Sequence, residues 1–305
     1  MQLIGTERRL VFFTRESVFA SSLLAPCFLF VALFAFYPIL YSCYLSLHRI
    51  ILGLPSIGQP FIGLENYKEL LHDEVALQAL INTFLFVIVS TFFEILFGLI
   101  IALVINQHFR GRGLVRAGIL VPWAIPTVVS SQMWRFIFND NYGLLNYILY
   151  GAHTPSYRAW LADAFFAFAA IVVADVWKTS SFAALLILAG LQTVPDELYE
   201  SAKIDGATPW QQFTRITLPL IKPALLIALL FRTMDAFRVF DLVFVMTQGG
   251  PADSTNVLQF YGYKKIFAEG FMGYGSTISV LAFMAVFILS LLYIRMIGTR
   301  LFDES

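Results

Sequence analysis

The chain has 305 residues, 59% of them hydrophobic and 13% charged, with a formal net charge of zero. Soluble domains carry about 25% charged residues, so this composition and a mean hydropathy of +0.76 exclude an ordinary water-soluble globule. The balanced charge also argues against nucleic acid as a partner.

A helix that crosses a bilayer needs about 20 largely apolar residues. Six segments qualify in chain order: 18–47, 80–105, 114–138, 164–191, 223–247 and 275–297. The expected fold is therefore all-α, a polytopic membrane protein of six transmembrane helices forming one domain over 1–305, embedded in the lipid of the cell membrane. The first segment is not a cleaved signal peptide, because its apolar run continues through Tyr37-Pro38 without a small-residue cleavage site. Cys27 and Cys43 lie on that segment about 24 Å apart along a helix, beyond disulfide reach. Three long connections (48–79, 139–163 and 248–274) either form a surface for a partner outside the membrane or are plain connectors, with a short amphipathic helix at Leu64–Leu80. The third segment holds Pro122 and Pro126, which kink a helix or make it a flexing point. His48, His72, His108 and His153 fall near predicted loops and show no metal-ligand spacing.

Basic residues set the orientation. Arg8, Arg9, Arg15, Arg110, Arg112, Arg116, Lys203, Arg215, Lys222, Arg295 and Arg300 fall on one side of the predicted spans. Arg49, Lys68, Arg158, Lys264 and Lys265 fall on the other. Both termini, and the polar stretch 192–222, are expected in the cytoplasm.

No G-x-x-x-x-G-K-[ST] loop, nucleophile elbow, H-E-x-x-H or C-x-x-C occurs in the chain. The expectation is a protein without catalytic residues, cofactor or metal. Energy for any active transport would come from another chain.

The stretch 192–222 is longer than a turn between two spans requires. It opens with Pro195, Asp196 and Glu197, a helix-like start, and ends at Pro219. Glu200-Ser201-Ala202, three further residues, Gly206, nine further residues and Ile216-Thr217-Leu218-Pro219 follow one another. This spacing resembles the EAA loop of ABC-importer permeases, with Ser201 where the family usually has alanine. Phe61-Ile62-Gly63-Leu64-Glu65-Asn66-Tyr67, Asn82-Thr83, Val121-Pro122, Pro126, Trp177, Phe182 and Thr247-Gln248-Gly249-Gly250-Pro251 are similar to stretches of the carbohydrate permeases of that family. Gln248 stands where glycine is common. Trp177-Lys178-Thr179 and the run Phe231–Asp241 look nearest to trehalose and maltose permeases.

The resemblance implies the type I importer permease fold and binding-protein-dependent import of a sugar, with a disaccharide such as trehalose or maltose as the expected substrate. It implies a second homologous permease subunit, a dimer of ATP-binding subunits and an extracytoplasmic sugar-binding protein as partners. Glu200, Ser201, Ala202, Asp205, Gly206, Ala207, Ile216, Leu218 and Pro219 would then couple the chain to the ATPase. Glu200 and Asp205 would be exposed toward it, and Ile216, Leu218 and Pro219 would anchor the returning segment against the bundle.

Charges inside the predicted spans stand apart from that motif. Glu94, Asp175, Lys178, Arg232, Asp235, Arg238 and Asp241 each cost about 2.5–3.5 kcal/mol or more at a bilayer centre, so they face protein or water. Arg232, Asp235, Arg238 and Asp241 form either an i,i+3 ladder on one helix or, with Asp175 and Lys178, a lining of the sugar pathway beside Phe231, Phe237, Phe240 and Tyr261. Depth places Lys178 near Asp235 and Asp175 near Arg232; pairing within each helix is the alternative. The competing function is a gradient-driven secondary transporter, which should show inverted repeats and broken helices. No internal repeat is visible in the sequence.

Overall fold

The computed structural model describes residues 15–54, 56, 58–152 and 156–301. Arg8, Arg9 and His153 lie outside them. Among the described residues there are helices, turns and isolated bridges but no strand. Among the described residues four helices are long and apolar enough to cross a membrane: Phe19–Ser46, Glu74–Asn106, Ala164–Leu191 and Met272–Arg295. Two bent pairs raise the number to as many as six if each pair is one span.

The kink expected in 114–138 is a full break, and the expected span 223–247 is interrupted as well. α5 (Arg112–Ala124) and α6 (Thr127–Ile137) meet at 88°. The cause is local: Pro126 has no N–H and keeps Ile125 extended. α12 (Lys222–Ala236) meets the helical stretch Pro209–Leu220 at 65°. It stops at Ala236, and a new helix, α13 (Asp241–Met246), begins after Phe240.

Two wide turns share one origin. The first span is α1 (Arg15–Val31), a π turn Ala32–Phe36, and α2 (Tyr37–Ser46). Tyr37 N–H reaches back five residues to Ala32 O, next to Pro38. Leu218 N–H likewise reaches Phe213 O, next to Pro219. A proline cannot donate to the carbonyl four residues behind it, and the turn ahead widens to bond differently.

The predicted amphipathic helix over Leu64–Leu80 is split into α3 (Glu65–His72) and the start of α4 (Glu74–Asn106). Asp73 is the reason, since its carboxylate caps α4 through Val75 N and Ala76 N at 3.0 and 3.1 Å. The same carboxylate accepts from the hydroxyls of Tyr261 on α14 (Leu258–Tyr263) and Tyr274 on α15 (Met272–Leu301). Burial raises its pKa, but these hydrogen bonds and the nearby Lys265 charge outweigh that and hold it below the ordinary carboxylate value.

The quoted polar stretches meet at this end of the bundle. Asn66 donates to Ser46 O and His48 O. Asn82 donates to Asp253 O and Asn256 O, and Thr83 Oγ1 accepts from Leu258 N. Gln248 has φ +52°, a left-handed backbone suited to the glycine that is common at its position.

α8 (Ala164–Leu191) is the most deeply buried span and packs most extensively on α4. Small side chains permit this closeness. Ala167, Ala170, Ala174, Ala183 and Ala184 of α8 are all buried, and a Cβ added at Gly98 of α4 would stand 2.8 Å from Ala183 Cβ. We expect Gly98→Leu to force the two helices apart and remove the protein from the membrane fraction. Wild-type membrane levels of that variant, by immunoblot, would contradict this packing.

Candidate functional site

The intramembrane charges converge on Arg232. Its Nε donates to Glu94 Oε2 at 2.6 Å and its Nη1 to Asp235 Oδ2 at 2.8 Å. Its Nη2 lies 3.8 Å from Asp175 Oδ2. α4, α8 and α12 thus each supply a carboxylate to one guanidinium. Arg232 and Glu94 are buried, whereas the side chain of Asp235 is 64% exposed. Of the two pairings expected for Arg232, across helices with Asp175 and within its helix with Asp235, both are present.

Lys178 is different. Its ammonium does not pair with Asp235 but donates to two backbone carbonyls, Trp123 O at 3.2 Å and Ile125 O at 2.5 Å. These carbonyls are freed at the α5–α6 break, where Pro126 and the 88° bend end the helical bonding. The four-residue ladder is also corrected. Arg232 and Asp235 share α12, but Arg238 lies in the break and Asp241 opens α13. Phe237, Val239 and Phe240 turn the chain there by packing against the buried cluster of α8 and α13.

Between the two breaks lies a cavity of about 560 Å³. One wall is Trp123–Thr127, the other runs from Arg232 through Asp235, Arg238 and Phe240 to Asp241, and Asp175, Lys178 and Thr179 form its back. Of the aromatic candidates, Phe240 lines it and Phe231, Phe237 and Tyr261 do not. Irregular backbone at membrane depth is stable where it lines a cavity, and this volume suits a small polar ligand.

A second arrangement occupies 192–222. α9 (Asp196–Ile204) ends in two bonds, Ala207 N to Ala202 O at 2.9 Å and Gly206 N to Lys203 O at 3.1 Å. Gly206 sits between them at φ +76°. This is a Schellman end, in which the residue after the helix takes the left-handed conformation. It gives a physical reason for the glycine four residues after Ala202. Thr208 and Gln211 then form a capping box that starts α10 (Pro209–Gln212).

Glu200, Ser201, Asp205 and Gly206 are exposed, and Ala202 and Ala207 are half-buried. Ile216 packs on the core formed by α4, α8 and α12. Leu218 and Pro219 do not anchor the segment as expected; both are exposed, on the short α11 (Leu218–Leu220). Tyr199 takes that role instead, through its contact with the same core and a 3.0 Å hydrogen bond between its hydroxyl and Thr217 Oγ1. Ile204 and Trp210 were not singled out in the sequence, yet they are 87% and 72% exposed on either side of Gly206. Their signal was an isoleucine and a tryptophan within a polar stretch.

The family described as the binding-protein-dependent transport system inner membrane component matches residues 94–304. The chain belongs to this family. It is a membrane-embedded, multi-pass transport subunit and not an enzyme. The permease is 41% identical over 281 residues to the trehalose/maltose transport system permease protein MalF of Thermococcus litoralis, covering 92% of this chain and 94% of that one. It is 39% identical over 292 residues to the trehalose transport system permease protein SugA of Mycobacterium tuberculosis, covering 96% and 90%. A bacterial ABC transporter involved in the import of the acidic polysaccharide alginate shares the fold, with a TM-score of 0.80 at 22% identity over 93% of this permease and 96% of that chain. Broken helices, expected of a secondary transporter, thus occur in this permease and do not separate the two readings.

Proposed function

We propose that the permease forms half of the pathway of an ATP-driven sugar importer in the cell membrane, with trehalose or maltose as its substrate. The single observation that carries this reading is the 41% identity with a trehalose/maltose permease along nearly the whole of both chains. The cavity supports it: Lys178, Asp235, Arg238 and Asp241 line a space together with Phe240, a mixture suited to a neutral polyhydroxyl solute. In this reading the bundle has six spans and both termini face the cytoplasm. A second homologous permease completes the pathway, a sugar-binding protein delivers substrate outside, and a dimer of ATP-binding subunits seats α9 and α10. Glu200 and Asp205 supply charge to that contact, while Ile204 and Trp210 supply apolar area.

Reconstitution with these partners tests the proposal. Trehalose on its binding protein should stimulate ATP hydrolysis and drive trehalose uptake into the vesicles. Uptake that follows an ion gradient and ignores ATP would favour the secondary transporter. Topology has its own test in a Cys27→Ser, Cys43→Ser background. Cysteine at exposed Ala252 should react with an impermeant reagent from outside intact cells, and cysteine at exposed Gln211 should react only after permeabilisation. Reaction of both in intact cells would overturn the orientation.

A further inference from the structure

Lys178 is buried within a span, yet its ammonium is spent on backbone carbonyls while Asp175, Asp235 and Asp241 lie nearby. A helix that ends inside a membrane leaves carbonyls with no water to satisfy them. Pro126, just past the end of α5, has no N–H to offer. A cation at a helix C-terminus meets the negative end of the helix dipole as well as the free carbonyls. Lys178 therefore completes the end of α5 from a different helix.

The grip has a second finger. Phe182 lies one turn further along α8, on the same face as Lys178. Its ring stacks on that of Trp123, with centroids 5.4 Å apart and planes 15° from parallel. α8 thus holds Trp123 by its carbonyl and by its ring. Trp123 through Thr127 form one wall of the cavity. The other end of α8, Leu191, leads directly into the segment that carries α9 and α10. Lys178 is about 20 Å along the helix from Leu191.

We propose that Lys178 is a positioning residue that fixes the elbow between α5 and α6 to α8, so that movement of the coupling segment reaches the cavity wall. The inference rests on the coupling role proposed above for 192–222. A purely charge-balancing role for Lys178 would require its ammonium near the carboxylates but would leave the elbow indifferent to it.

The test measures the elbow and the coupling separately. Spin labels replace Gly118 on α5, where a Cβ meets nothing within 4 Å, and the exposed Met133 on α6, in the background without Cys27 and Cys43. Electron–electron double resonance on the complete reconstituted transporter should give a narrow distance distribution that broadens in Lys178→Met and stays narrow in Lys178→Arg. In parallel, Lys178→Met should lose at least ten-fold of the stimulation of ATP hydrolysis by trehalose-loaded binding protein, and Lys178→Arg should keep most of it. A narrow distribution in Lys178→Met overturns the proposal, as does equal broadening in Lys178→Met and Lys178→Arg. Full stimulation in Lys178→Met overturns the link to coupling. If the wild-type transporter shows no trehalose stimulation, the sugar-import reading fails, and the distance measurement still decides whether Lys178 holds the elbow.

Discussion

Arg232→Leu is expected to cost the protein about 3–5 kcal/mol, because it leaves buried carboxylates without their cation. Glu94 is fully buried and Asp175 nearly so, and each has an oxygen with no hydrogen-bond partner among the described residues even when Arg232 is present. Asp235 contributes little to this cost, since its exposed carboxylate keeps its solvation in the cavity. The loss should appear as a lower apparent Tm in detergent and as reduced membrane levels. Adding Glu94→Gln should recover part of it, by removing the most deeply buried uncompensated charge. An unchanged Tm in Arg232→Leu would show that the guanidinium does not hold the three helices together.

The second large effect concerns Gly206. Nothing lies within 4 Å of a Cβ built there, so a side chain meets no steric barrier. The penalty is conformational: at φ +76° an L-residue gives up about 1–2 kcal/mol, and a β-branched one more. Gly206→Val should therefore unwind the end of α9 and change the direction in which Glu200 and Ile204 are presented. With Glu200→Ala added, trehalose uptake should fall at least ten-fold at unchanged membrane levels. Gly206→Asn should retain most of the uptake, because asparagine tolerates the left-handed conformation. Normal uptake in the double variant would remove α9 and its Schellman end from the coupling contact.

These two predictions differ in how far the sequence could supply them. The end of α9 is a local structure, with all its hydrogen bonds within six residues of one another, so the spacing of Ala202 and Gly206 was visible as a pattern. Arg232 was visible as a charge in an apolar run, and so was Glu94, but nothing linear tied two residues 138 positions apart. Lys178 was assigned a carboxylate partner because charges can be read from a sequence and free backbone carbonyls cannot. The break at Ala236 was hidden for a related reason. Phe237, Val239 and Phe240 are as apolar as a continuing span, and the helix ends because those side chains find a better fit in the core. Pro126 did mark its break, though not the 88° through which the chain turns.

The contact between α4 and α8 has a mechanical consequence. Where Gly98 meets Ala183 and Ala184 there are no long side chains to bend, and the two backbones lie against each other almost directly. Gly190 meets Ala224 of α12 in the same way, two turns further along at the C-terminal end of α8. Surfaces fitted this closely have no slack for sliding, since a shift of one residue, about 1.5 Å, would bring larger groups into a gap sized for hydrogen atoms. α4, α8 and the first turns of α12 should therefore travel as one solid block. Any change in which side of the membrane the cavity opens toward then falls to the places where the backbone is already bent, as a door moves at its hinges while its panel keeps its shape.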